Sequence, residues 1–351
     1  MRFSNLRRTV IGYLGAAAVI GTAACSSDLV GPPPASDRAT LFETVWHEFD
    51  LHYSFFQMKG INWDAIGARY RPIALAATTD RAFADALANM MAELHDVHVS
   101  LTAFGPGSTI RYISPYDTMP SNYSEGATLS RYVSSVATTA SGAGHIRYGT
   151  SGPGVGYLRI PSFIGGGWSS EIDEALDALS GATSMIIDIR SNGGGNRNVA
   201  IETAGRFADR ARTYGYLRYR NGAGHGDFTD YVTETVEPRG HHFAGLVYVL
   251  TNRGDYSSAE DFVLAMRVMP QVTIVGDTTG GASGGPIVRE LPNGWTYELS
   301  QWIEFTPEKK VFEGIGLAPD IVVKSTPVTF AAGRDPVVDQ ALGLAAAATN
   351  R

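Results

Sequence analysis

The 351 residues include 28 lysine or arginine and 35 aspartate or glutamate side chains, a formal charge of −7, and 44% are apolar. That is enough chain for one large domain, or one domain with a smaller companion, and for a real core. No dense basic patch is present, which excludes charge-driven nucleic-acid binding, and a single cysteine excludes an intrachain disulfide.

Taken in order, residues 1–25 read as an export signal. Arg2, Arg7 and Arg8 precede an apolar stretch from Val10 to Ala24, too short and too rich in Ala and Gly for a comfortable membrane span. Small residues end it directly before Cys25, as in a bacterial lipobox, so Cys25 is the expected lipidation site and the lipid the expected membrane contact. Residues 26–38, "SSDLVGPPPASDR", read as a flexible linker. Residues 39–104 read as a small N-terminal helical unit of three helices. Leu41, Val45, Phe49 and Tyr53 recur at helical spacing. Asn62 or Asp64 offers a start to the second helix and Pro72 a break. Thr79 and Asp80 precede the third. Residues 105–153, rich in Ser, Thr, Gly and Tyr, read as an irregular or β connection.

From residue 154 to 351 strands alternate with helices. "VGYLRI", "SMIIDI", "TYGYLRYR", "LVYVLT" and "VTIVG" are expected strands. "SSEIDEALDAL", opened by Ser169 or Ser170, "NVAIETAGRFAD", "SAEDFVLAMRVM" and "DPVVDQALGLAAAAT" are expected helices. "IVRELPNGWTYELSQW" is an expected hairpin turning at Pro292-Asn293-Gly294. The fold class is therefore α/β, with a mixed or mostly parallel sheet carrying helices on its faces.

Two strand-to-helix turns could carry chemistry. In "IIDIRSNGGGN" three glycines permit a sharp turn whose exposed N–H groups can hold an anion, either a phosphate or the oxyanion of acyl transfer. A plain tight turn fits as well. Neither the Walker nor the dinucleotide spacing follows. In "VLTNRGDYSSAEDF" Ser257 and Ser258 stand where a helix begins. A serine there is either an N-cap or a nucleophile, and a nucleophile needs a base. Eight histidines are available, and spacing does not choose among them. No His/Cys cluster suggests a metal, and no cofactor is expected.

Seven segments in order, "ELHDVHVSL", "GVGYLRIPSF", "IIDIRSNGGGN", "YVLTNRGDYSSAEDF", "VGDTTGGASGG", "LPNGW" and "FEGIGLAPDIVV", resemble the tail-specific (C-terminal processing) serine peptidases, in the branch similar to the tricorn protease core. The resemblance runs from Leu41 to Val323. It implies a crotonase-like α/β peptidase core preceded by a small helical unit, with peptides or unfolded proteins as substrates. It implies Ser257 as nucleophile, three residues before Glu260, and His98 as general base in the "Asp-x-His" block Asp96-Val97-His98. Backbone N–H groups of Ser258 and Gly194, with Gly193 as the second choice, become the oxyanion hole. Glu313 becomes the carboxylate that orients the imidazole, directly or through another hydroxyl.

Three departures from the family matter. Ala282 stands where the processing branch has its lysine base, so a Ser–His–Glu site replaces a Ser–Lys dyad. Val97 precedes the histidine where Gly or Ser is common. The stretch between the His block and "GYLRI" is about half of what a PDZ domain needs, so specificity must reside in the cleft. Two other classes keep the same scaffold: a non-catalytic, surface-anchored protein binding peptides or apolar ligands, and an acyl-CoA enzyme. The first need not retain Ser, His, Glu and the glycine turn together. The second explains neither the Ser/His pair nor the export signal.

Overall fold

The computed structural model describes residues 37–105, 108–113 and 122–349. The expected leader, Cys25 and most of the expected linker lie outside them. Asp37 and Arg38, counted with the linker from sequence, belong to a helix instead. The Asp37 carboxylate accepts the N–H groups of Ala39 and Thr40 and caps α1 (Arg38–His52). The one-turn α2 (Phe56–Lys59) follows, stopped by Gly60 in the left-handed conformation. Next come α3 (Trp63–Ala76), capped by Asn62, and α4 (Asp80–Ala92), capped by Thr79. The described N-terminal region thus holds four helices where three were expected. Pro72, expected at a break, lies inside α3. Its missing N–H costs one intrahelical bond, and packing of the buried Trp63, Gly67 and Ala74 outweighs that loss.

Two strands, β1 (Ser100–Gly105) and β2 (Ser108–Ile113), pair antiparallel. Helix α5 (Glu125–Tyr132) leads to β3 (Ser134–Thr138), β4 (Arg147–Gly152) and β5 (Val155–Arg159). Helix α6 (Trp168–Ala178) starts one residue before the expected Ser169, after Gly167 at φ 88°. The reason is packing, since Trp168 is buried and stacked on His145. The chain continues as β6 (Ser184–Asp188), α7 (Arg197–Ala204), β7 (Arg212–Tyr219), β8 (Val232–Val236), β9 (Leu246–Thr251), α8 (Ser258–Arg267) and β10 (Val272–Gly276). Then come β11 (Pro286–Glu290), β12 (Thr296–Ser300), β13 (Trp302–Phe305), β14 (Ile321–Val322), α9 (Pro327–Ala331) and α10 (Pro336–Thr349).

The central sheet runs β14-β10-β9-β6-β5-β4-β3, parallel from β14 to β5 and antiparallel beyond. Its central strands β5, β6 and β9 are buried on both faces, and the period of two sorts their side chains. Leu158, Met185, Ile187, Val247, Val249 and Ile274 join the core beneath α6, α7 and α8. Tyr157, Ile186, Tyr248, Leu250 and Val275 face the other way and pack with Val337, Val338 and Ala341 of α10. A second sheet, β11-β12-β1-β2, holds the Pro292-Asn293-Gly294 hairpin, and a third runs β13-β7-β8.

The N-terminal helices have no core of their own. Phe49, Trp63, Phe83 and Leu87 share one cluster with Leu101 of β1, Tyr297 and Leu299 of β12, and Ile303 and Phe305 of β13. That shared cluster carries the segment after α4 to the carboxyl ends of β6 and β9, where open α/β sheets place their crevices.

Candidate active site

Two loops leave the carboxyl ends of adjacent parallel strands and are stitched together. After β6, Asn192 N–H donates to the buried Asp255 carboxylate at 3.2 Å, and Ser191 N–H donates to Asn252 Oδ1 at 2.8 Å. After β9, Asn252 N–H donates to Asp255 at 2.8 Å, and Tyr256 N–H to the Asn192 carbonyl at 3.1 Å. Burial raises the Asp255 carboxyl well above its usual range. The glycine run then passes directly under the second loop. Gly194 has φ +91°, and a Cβ built there would lie 2.8 Å from the Ser257 Cβ and 2.9 Å from the Ser258 nitrogen.

Ser257 occupies the N-cap position of α8, yet its side chain makes no capping hydrogen bond. Its backbone is at φ 55°, ψ −127°, a conformation a non-glycine residue holds at a cost of roughly 1–3 kcal/mol. Strain of this kind turns a serine hydroxyl out at the top of a strand-to-helix elbow. The loop is held there by Ser257 N–H, which donates to the Ala282 carbonyl at 3.0 Å. Ser258 differs from its neighbour. Its hydroxyl is spent on the Gly195 carbonyl at 2.8 Å.

His98 reaches the same cleft from the turn before β1. The buried Asp96 shapes that turn, accepting His98 N–H at 2.9 Å and the Ser300 hydroxyl at 2.8 Å. Ser257, Ser258, His98, Gly193 and Ser283 line one cleft, with Trp302 on its wall. Burial holds the imidazole below its ordinary value, against the raising pull of Asp96 and Glu298. The ring is therefore neutral near pH 7 and able to accept a proton. Its Nδ1 is buried without a hydrogen-bond partner among the described residues.

Glu313 is buried and lies behind the cleft wall. Its carboxylate accepts Ser283 N–H at 2.7 Å and the Ser283 hydroxyl at 3.1 Å, and Lys59 Nζ stands 3.5 Å from its other oxygen. No hydrogen bond joins it to His98 among the described residues. Burial, then the charge of Asp96, pushes its carboxyl up to about 8, against the lowering effect of Lys59 and Ser283.

Gly194, the first choice as oxyanion donor, and Gly193, the second, differ in what their N–H groups face. The Gly194 N–H points to Asn192 Oδ1 at 2.8 Å and the residue is buried, whereas Gly193 is exposed on the cleft. Sequence reasoning missed three side chains. Glu260, used only to count back to Ser257, is buried and accepts the Thr279 hydroxyl and the N–H groups of Gly281 and Ala282. Ser283 follows the alanine that replaces the lysine. Lys59 sits in a helix of one turn that periodicity does not register.

Residues 154–323 match peptidase family S41, and residues 34–92 match the tricorn protease C1 domain. The chain is 26% identical over 169 residues to the carboxy-terminal processing protease CtpA of Bacillus subtilis, covering 48% of this chain and 34% of that protein. It is 28% identical over 206 residues to the carboxyl-terminal-processing protease of Synechocystis sp., covering 58% and 45%. The match thus spans less than half the length of either curated relative. A crystal structure of a presumed peptidase from Parabacteroides merdae superposes with a TM-score of 0.77 at 31% identity, covering 88% of this chain and 97% of that one.

Proposed function

The chain belongs to peptidase family S41, and from that premise we propose that it is a serine-type peptidase that hydrolyses peptide bonds at the cleft between Ser257 and His98, on a crotonase-like core. The observation that carries this is the Ser257 elbow. A strained serine that caps nothing faces the same cleft as a half-buried, neutral histidine.

The chemistry follows from the positions. His98 takes the Ser257 proton as the serine oxygen attacks the substrate carbonyl carbon. The carbonyl oxygen becomes an oxyanion, held by the Ser258 N–H at the positive end of α8 and by the Gly193 N–H. His98 then gives the proton to the leaving amine, and an acyl-enzyme remains. Water attacks it with His98 again as base, and Ser257 is restored. Glu313 acts through Ser283 on the cleft wall, as a positioning residue. Substrates are peptides or unfolded segments of exported proteins, read by the cleft itself, and Cys25 carries the lipid that anchors the protein.

The test incubates the chain from Ser26 onward with a diverse peptide pool and reads new termini by mass spectrometry. New termini are expected for the wild type and absent for Ser257→Ala and His98→Ala. Termini that persist in Ser257→Ala remove it as the nucleophile. No cleavage by the wild type favours a binding protein on this scaffold. Fractionating cells that make the full chain or Cys25→Ser reads the anchor: membrane fraction for the first, soluble for the second.

A further inference from the structure

Behind the cleft wall, four buried or half-buried groups meet from four different segments. Tyr53 closes α1, Lys59 ends α2, Asp96 lies in the turn before β1 and Glu313 follows β13. Lys59 is their cation. Its Nζ lies 3.5 Å from Glu313 Oε1, 3.4 Å from the Tyr53 hydroxyl, 3.2 Å from the Leu94 carbonyl and 3.0 Å from the His95 carbonyl. The two carbonyls belong to the residues that lead into Asp96-Val97-His98. The Phe55 ring covers the ammonium group at 5.0 Å. Gly60, at φ 63°, ends α2 immediately after the lysine and so fixes where its stem starts.

We propose that Lys59 is a positioning residue of the peptidase site, bracing the Glu313 carboxyl group that accepts from Ser283 while it ties down the turn that presents His98. The inference rests on the Ser257–His98 reading and adds to it a cation from the N-terminal helices. The physical ground is charge balance. Asp96 and Glu313 are both buried, and the charge of Asp96 disfavours the ionised form of Glu313. Two carboxylates so placed do not both ionise without a cation between them. Lys59 is the cation whose charge acts on Glu313, where it opposes both burial and Asp96. The Tyr53 phenol, itself raised by burial and then by Asp96 and Glu313, stays neutral and donates. An ionised Glu313 can accept from both the backbone and the hydroxyl of Ser283; a protonated one loses part of that capacity.

Two readings separate this role from a merely structural one. The first is the titration of Glu313, followed by carboxyl-carbon NMR of glutamate-labelled protein, with the resonance assigned by its loss in Glu313→Gln. Lys59→Met is expected to raise the midpoint by about one to two units, the usual effect of an opposite charge at this range, and Lys59→Arg to restore it. The second is kinetics on a peptide cleaved by the wild type. In Lys59→Met, kcat at pH 7 is expected to fall about tenfold to a hundredfold, as the ionised fraction of Glu313 falls. KM is expected to stay within about twofold, and Lys59→Arg to recover kcat. His98 feels Lys59 too, so its midpoint is expected to rise in the same variant. A Glu313 midpoint that does not move in a folded Lys59→Met overturns the proposal, as does a moved midpoint with unchanged kcat. A wild type that cleaves nothing sinks the peptidase reading instead, and the titration still decides whether Lys59 holds Glu313.

Discussion

Ser257 could be read from sequence as a cap or as a nucleophile, and only its backbone separates the two. At φ 55° with no capping bond, the side chain has been turned away from the helix it precedes. Gly194 shows the converse limit. Three glycines in a row advertise a backbone-lined turn, but which N–H is spent internally depends on the rotamer of Asn192, and no spacing rule reaches that far. The structure gives Gly194 another task, since it is the residue on which the elbow rests. Gly194→Ala is therefore expected to do more than strain a left-handed position. The new methyl would displace Ser257 and Ser258 together, and such displacement is expected to cost at least ~10² in kcat, comparable to losing an oxyanion donor. Stopped-time peptide cleavage beside a thermal melt checks it. A variant that melts normally yet cleaves at the wild-type rate would refute the contact.

At the scale of elements, the loop from 277 to 285 is fastened to α8 by one side chain. Glu260 leaves the first turn of α8, accepts from Thr279, Gly281 and Ala282, and so sets where Ala282 meets Ser257 and where Ser283 meets Glu313. Burial raises its carboxyl from 4.5 to about 7, against the lowering effect of those three bonds. The sign follows directly. The folded protein binds this proton more tightly than the unfolded chain, so the contribution is complete below 4.5 and is lost as pH rises through about 7. Urea unfolding of the wild type and Glu260→Gln across that window is expected to show the wild type losing roughly 3 kcal/mol relative to the variant. A constant difference would count against a buried, shifted carboxyl. The elements themselves were legible wherever period and caps were strong, as at Asn62 and Thr79. They were misplaced where packing overrode local preference, as at Pro72 and Trp168.

For the whole molecule, the parallel strands β5, β6, β9 and β10 were legible because each is a short, mostly apolar run, and the site motifs were legible as short strings. Their meeting was not, because it is made by partners far apart in the chain, such as Ser300 on Asp96 and Lys59 on Glu313. The same holds for the last helix. Arg190, fully buried after β6, donates to Asp188 and to Asp335, which caps the start of α10. Burial pushes the Asp188 carboxyl up, and the charge of Arg190 outweighs it and holds the group below its usual value. Arg190→Met would leave two buried carboxylates facing each other. The expected loss is about 3–5 kcal/mol by denaturant unfolding, and a loss below ~1 kcal/mol would show that the ion triad is dispensable to the fold.

The hydrophobic cluster that the N-terminal helices share with β12 and β13 also sets the order in which danger can arise. His98 stands early in the chain, Ser257 late and Glu313 later still, and the proposed base is seated only when strands made near the end pack against helices made near the beginning. On the proposed reading, an unfolded chain therefore holds every reactive group and no reactivity, and the protein becomes able to cut only at the moment it stops being a substrate.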